Sequence, residues 1–182
     1  MYKNRPSELS KKWIIDALFI LMEQKRFEKI SITEIVKRAG VSRLTFYRNF
    51  ESKEQILLLH FDLLFDKYLE SAKENSGDLH LTIKHCFEFW GEHTGENNLL
   101  IKNDLTPLLY QSFDRYLDQL LKKLGLLNEF SYFQKKFLTG GIISVMLEWV
   151  INPRGRNPDD MANMIMKICP SLIQESFKDR RD

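Results

Sequence analysis

An all-α fold is predicted for this 182-residue chain by three observations. Apolar residues recur at three- and four-residue intervals in one stretch after another, the spacing that gives a helix one buried face. Helix-start signatures stand between those stretches. Runs with strand-like alternation are nearly absent. With 43% hydrophobic residues the chain can bury a real core, and its five Pro and eight Gly fall mostly between the helical stretches. The expected architecture is an N-terminal three-helix unit followed by a larger helical domain, about nine helices in all.

The elements can be taken in order. Ser7 is placed to cap a helix running to about Lys25, in which Trp13, Ile14, Ala17, Leu18 and Leu21 form the apolar stripe. "SITE", Ser31 to Glu34, is a capping box that opens a short helix over 32–39. Gly40 ends it, because glycine enters the left-handed region without a Cβ clash. Ser42 caps a third helix to Asn49, and Ser52 with Gln55 suggests a second capping box opening a long helix to Ala72.

After the break at "ENSGD", helices are expected over 79–93, 98–103, 105–124, 129–151 and 158–177. Asn157-Pro158-Asp159-Asp160 opens the last of these, with Pro at the first helical position and acids complementing the dipole, and Pro170 should kink it.

Charge is divided unevenly. The overall balance of +2 resolves into +6 for residues 1–53, with 12 Lys/Arg against 6 Asp/Glu, and −4 for the rest, with 15 against 19. A basic front third suits an anionic partner, although a basic block can equally be a solvated surface.

Two short helices joined by a Gly-containing turn form a helix-turn-helix, whose second helix lies in the DNA major groove. The stretch "AGVSRLTFYRNF", Ala39 to Phe50, tests this on a helical wheel. With Phe46 inward, Phe50 lies about 40° away, whereas Leu44 and Arg48 lie about 160° and 200° away. Phe46 and Phe50 therefore anchor the helix, and Arg43, Leu44, Thr45, Tyr47 and Arg48 cover its flanks and outer face. Arg bonds guanine or phosphate, Thr a base edge or a thymine methyl, and Leu a methyl alone. Tyr47, nearer the anchored side, suits a phosphate oxygen.

The span "ISITEIVKRAGVSRLTFYRNFESKEQIL", residues 30–57, resembles the DNA-binding domain of TetR-family transcriptional regulators. The Thr33 helix start, Ile35, "AGVS" at Ala39–Ser42, "TFY" at Thr45–Tyr47, Phe50 and Lys53 carry the resemblance, which is strong over 8–60. Leu44 departs from it, standing where the family usually has Gly or another small residue. The resemblance implies that Thr33, Tyr47 and Lys53 meet phosphates while Arg43, Leu44 and Thr45 enter the groove. Thr33 and Lys53 stand at helix N-termini, which favour phosphate independently. Lys37, Arg38 and Arg48 would extend the positive rim, and the arm Tyr2–Arg5 could reach the backbone or minor groove. The division expected is a DNA-binding domain over 1–52 and a helical effector-binding and dimerisation domain over 53–182.

Residues 137–151, "FLTGGIISVMLEWVI", are apolar around nearly the whole wheel, with Glu148 the only charge. Such a helix is covered on more than one side, by its own core throughout or by core and a partner subunit. The resemblance implies that the last two long helices pair with their symmetry mates, with Phe137, Gly140, Gly141, Ser144, Glu148 and Leu172 at that interface. Between the two ends, Phe61, Phe65, His85, Phe89, Trp90, Tyr110 and Phe113 either fill a core or line an effector cavity. The family's usual behaviour implies a homodimeric repressor of double-stranded operator DNA, released by an unknown small-molecule effector. "FLTGGIISVMLEW" with "NPDDMA" also resembles a subgroup partnered by a co-regulator protein, which keeps an adaptor or activator under protein control as the alternative.

Other classes are disfavoured. Cys86 and Cys169 lie in apolar helical patterns as buried thiols, and neither they nor His60, His80, His85 and His93 show metal spacing, so no metal or cofactor is expected. No phosphate-cradling Gly loop or nucleophile elbow occurs, so the chain is not read as an enzyme. Neither a signal-like start nor a membrane-length apolar run is present, and the expected location is the cytoplasm.

Overall fold

The computed structural model describes residues 5–71, 78–123, 127–152 and 154–168. Among these residues there are nine α-helices and no strand. They are α1 (Arg5–Gln24), α2 (Ile32–Ala39), α3 (Arg43–Asn49), α4 (Lys53–Ser71), α5 (Leu79–Glu92), α6 (Thr94–Lys102), α7 (Thr106–Lys123), α8 (Tyr132–Ile151) and α9 (Pro158–Ile168). Single 3₁₀ turns cover Phe27–Lys29 and Leu127–Glu129. The all-α class and the helix-turn-helix start agree with the sequence reading.

Several boundaries differ from it. Helix α1 already runs at Arg5, so Ser7 is not its cap; the Ser7 hydroxyl instead donates to Asn49 Oδ1 at 3.0 Å. Helix α6 starts at Thr94, four residues earlier than expected from the apolar spacing. Helix α8 starts later, at Tyr132, because Ser131 and Gln134 form a capping box there and Leu127–Glu129 make a separate turn. The Ser52 signature is only half a box: Ser52 Oγ accepts from Gln55 N–H at 3.4 Å, but Gln55 Oε1 accepts from Glu51 N–H at 2.9 Å. At α9 the expected start is present in full, with Asn157 N–H on Asp160 Oδ2 at 3.1 Å and Asp160 N–H on Asn157 Oδ1 at 2.9 Å. Cys169, Pro170 and Leu172, and the proposed arm at residues 2–4, lie outside the described residues.

Two compact units form. One holds the described residues up to Leu63 together with Asn98–Leu109. In it α2 packs on α1, and α3 packs on both. Ile14, Leu18, Met22, Ile35, Phe46, Ile56, Leu57, Phe61, Leu100 and Leu109 are fully buried. Burying one such Phe or Leu contributes about 1.5–3 kcal/mol, so this core holds even the seven-residue α3, too short to be helical alone.

The other unit holds the described residues of Leu64–Asn97 and those from Tyr110 onward. Its core is aromatic: the Phe65 ring lies 5.3 Å from Trp90, 5.6 Å from Phe113 and stacks on Tyr116 at 4.4 Å. Helix α5 packs on α8 and α9. Gly91 leaves room for the Trp149 ring, which a Cβ at that position would meet at 3.3 Å.

Candidate nucleic-acid interface

The helix-turn-helix is built by local chemistry. Ser31 Oγ accepts from Glu34 N–H at 3.3 Å, and Glu34 Oε2 accepts from Ser31 N–H at 3.0 Å, so two N–H groups left orphaned at the start of α2 are satisfied. Lys25 ion-pairs with the same carboxylate. Its ammonium, followed by the Ser31 N–H and hydroxyl, holds the Glu34 pKa down at about 2. Gly40 closes α2 with φ +67°, and Val41 N–H donates back to Val36 C=O at 3.1 Å. The chain is thereby turned into α3, where Ser42 Oγ accepts from one of the first N–H groups, that of Thr45, at 3.0 Å.

Helix α3 is anchored on one side and open on the other. Phe46 and Phe50 are buried, while Leu44 is 61% and Tyr47 54% exposed. Arg43 and Arg48 are exposed and carry no ion pair among the described residues. The sequence wheel therefore reads the anchored and open faces correctly. Thr45 is half-buried, and its hydroxyl lies 2.9 Å from that of Ser42. Thr33, Lys37 and Arg38 are exposed on α2. Two guanidiniums, a phenol, a leucine and the exposed N-terminal turn of α2 thus share one unit.

Lys53 is placed differently from these. Its ammonium donates to the carbonyls of Phe27 at 2.7 Å, Glu28 at 3.1 Å and Ile30 at 3.1 Å, and lies 4.4 Å from the centre of the Phe27 ring.

The aromatic residues named from sequence fall into separate groups. Phe61 is buried in the unit that holds the helix-turn-helix. Phe65, Trp90 and Phe113 meet in the other unit, where Phe89 joins them against Trp90 at 5.8 Å. His85 lies to one side: it stacks on Tyr68 and pairs with Ser71 Oγ at 2.8 Å. Tyr110 OH lies 2.8 Å from Ser144 Oγ, joining one residue expected at a cavity to one expected at a dimer seam.

Buried polar groups also sit within this aromatic unit. Tyr116 OH and Thr139 Oγ1 are buried with no hydrogen-bond partner among the described residues. Burial raises the Tyr116 phenol far above its usual range, so it stays a neutral donor. Burial, partly offset by a hydrogen bond with Tyr68, pushes the Cys86 thiol up to about 12. Tyr68 OH in turn donates to Thr82 C=O at 2.9 Å. Only tertiary packing reveals these, since a lone Tyr or Thr in a helical pattern carries no local mark of being unsatisfied.

On α8, Phe133, Phe137, Gly141, Ser144, Glu148 and Ile151 are exposed and recur at three- and four-residue steps; Gly140 is half-buried beside them. No helix among the described residues is long and apolar enough to cross a membrane, and no cluster of three metal-ligating side chains occurs among them.

An anchored second helix with exposed cations behind a glycine turn is a helix-turn-helix, set in a chain whose described residues are all helical or irregular. Residues 14–59 match the family model described as bacterial regulatory proteins, tetR family. The likeness to the TetR family lies in this N-terminal segment. Over 56 residues it is 45% identical to the HTH-type transcriptional regulator EthR of Mycolicibacterium smegmatis, a match covering 31% of this chain and 25% of that protein. The chain thus matches only about a quarter of that relative's length. The fold likeness runs further. The dihydroxyacetone kinase operon activator DhaS superposes with a TM-score of 0.58 at 20% identity, over 91% of this chain and 95% of that one. The TetR family repressor AlkX from Dietzia sp. strain DQ12-45-1b, implicated in biodegradation of n-alkanes, gives 0.58 at 17% identity, over 90% and 97%.

Proposed function

We propose that this protein is a cytoplasmic, homodimeric transcriptional repressor that binds operator DNA through α3 and is released by a small apolar effector. The observation that carries the DNA-binding part is the division of α3: Phe46 and Phe50 are buried while Arg43, Leu44, Tyr47 and Arg48 face solvent. Arg43, Leu44 and Thr45 enter the groove, and Thr33, Tyr47 and Arg48 meet phosphates on its walls. One such head reads only a few base pairs, so two half-sites and a dimer are needed. The exposed stripe of α8 supports that dimer, with Phe137, Gly140, Gly141, Ser144 and Glu148 along it. On this reading residues 1–52 form the DNA-binding domain and 53–182 the effector-binding and dimerisation domain.

The effector reading is supported by Phe65, Phe89, Trp90 and Phe113 lying together with the buried Tyr116 phenol, and by the buried Thr139 hydroxyl of the same unit, neither hydroxyl having a partner among the described residues. Rings supply apolar surface, and a stranded donor selects a ligand bearing one acceptor.

Selection of bound sites from random duplexes tests the central reading. A two-fold site is expected, with affinity falling steeply as salt rises. Arg43→Ala and Tyr47→Ala should abolish selection while circular dichroism stays that of the wild type. Wild-type protein that retains no duplex at low ionic strength would sink the proposal.

A further inference from the structure

Lys53 and the segment 26–30 carry an inference that rests on the DNA-binding reading and sharpens it. An ammonium has three N–H donors. Those of Lys53 meet the carbonyls of Phe27, Glu28 and Ile30 at 2.7, 3.1 and 3.1 Å, and the Phe27 ring covers the charge. A phosphate oxygen would have to displace one of these carbonyls, leaving it unpaired.

The same segment is held from its other side. Phe27 N–H donates to Asn103 Oδ1 at 2.6 Å, and both residues are buried. Asn103 is itself oriented by donating to Leu99 C=O at 2.8 Å. The Arg26 guanidinium grips the Asp104 carboxylate at 3.0 Å and also the Lys102 carbonyl. Asp104 stands at φ +57°, where the chain turns from α6 toward α7. All these residues belong to one compact unit.

Their places in the chain give the arrangement its meaning. Ile30 directly precedes Ser31, the cap of α2, and Lys53 is the first residue of α4 after α3. Lys53 therefore joins the entry of the α2–α3 pair to its exit, and Asn103 with Arg26 fixes that joint to the 102–104 corner.

We propose that Lys53 is a positioning residue, which with Asn103 and Arg26 locks segment 26–30 and thereby sets the attitude of the α2–α3 head, and that it does not bind phosphate. Lys53→Met keeps the stem and removes the donors. Asp104→Gly removes the carboxylate at a backbone conformation glycine favours, and it also deletes a negative charge.

Two measurements decide the matter. In duplex binding, Lys53→Met is expected to weaken affinity about tenfold at every salt concentration with the log–log salt slope of the wild type, because a lost hydrogen-bonded joint is not a lost phosphate contact. Asp104→Gly should also weaken binding, about threefold or more, where simple electrostatics requires tighter binding. In amide exchange without DNA, segment 26–31 should exchange faster in both variants than in wild type. A slope shallower by about 0.9 per head in Lys53→Met, or tighter binding by Asp104→Gly with exchange at 26–31 unchanged, overturns the proposal. Should Lys53→Met not fold, Asp104→Gly decides by both readouts. Should wild type bind no duplex, the DNA reading fails by itself and exchange still judges the joint.

Discussion

Ser7, two residues inside the first helix, donates its hydroxyl to Asn49 Oδ1 at 3.0 Å, and Asn49 in turn donates to Thr45 C=O at 2.7 Å. The far end of α3 is thus fastened to α1 by one polar chain, complementing the apolar clamp of Phe46 and Phe50. Ser7→Ala removes the donor in a partly buried place and should destabilise the protein by about 1 kcal/mol. Urea titration of the two proteins measures this. Equal midpoints would mean that water replaces the hydroxyl at no cost.

Gly40 supplies a backbone requirement, not a spatial one. Among the described residues a Cβ there would meet nothing within 4 Å, so among them it is the φ of +67° that opposes a side chain. Gly40→Ala should therefore cost about 1–2 kcal/mol, and Gly40→Asn less, since Asn tolerates the left-handed region. A steric cause would reverse this order, the larger residue being worse. Thermal unfolding of the pair distinguishes the two.

Leu44 is the exposed residue of α3 whose loss the fold should not feel. Substitution at a site 61% exposed should change stability by less than about 0.5 kcal/mol. If Leu44 lies in the groove as proposed, Leu44→Ala withdraws the group that would touch a thymine methyl, and preference for thymine at one position of each half-site should weaken by about 1 kcal/mol or more. Comparison of selected site logos is the check, and identical logos would remove Leu44 from the groove.

Glu34 makes the start of α2 acid-sensitive. Lys25, then the Ser31 N–H and hydroxyl, lower its pKa from the usual 4.5 to about 2. A depressed carboxylate pKa contributes stability that is complete above the unfolded value and disappears as pH falls through the folded one. The advantage of wild type over Glu34→Gln, which keeps a side chain able to cap Ser31, should be constant above about pH 5 and shrink toward pH 2. Denaturant midpoints of both proteins at several pH values give the test. A difference that does not vary over that interval removes the ionised carboxylate from the account.

The pattern of what the sequence revealed follows from the range of each interaction. Ser31 with Glu34, Gly40, Ser42 with Thr45, and Asn157 with Asp160 act within four residues, so both partners are adjacent in the text. Phe46 and Phe50 are legible for the same reason, since one wheel places them together. Ser7 suits a cap by local pattern, a serine hydroxyl before an apolar stripe, whereas its partner, Asn49, is 42 positions away. The carbonyls around Lys53 are 23 to 26 positions away, and Asn103 stands 76 from Phe27. No local pattern announces such pairs. The stranded hydroxyls of Tyr116 and Thr139 are harder still, being defined by what fails to reach them.

The exposed stripe of α8 yields a prediction in which one substitution acts in opposite directions on fold and assembly. Among the described residues, a Cβ at Gly141 meets nothing within 4 Å, so none of them requires glycine there. Replacing a helical glycine by alanine stabilises the helix by about 1 kcal/mol, and Gly141→Ala should raise the stability of the separated subunit accordingly. If α8 meets its symmetry mate through this face, the added methyl intrudes on a close backbone approach and weakens the dimer. Phe137, 63% exposed in the single chain, is the apolar anchor one turn away. Phe137→Ala should cost about 2 kcal/mol at each of its two occurrences in a dimer while leaving subunit stability nearly unchanged. Sedimentation equilibrium with unfolding at high dilution separates the quantities: both variants should shift toward monomer, Gly141→Ala with a more stable subunit. A Gly141→Ala protein that associates as tightly as wild type would take this face out of the interface.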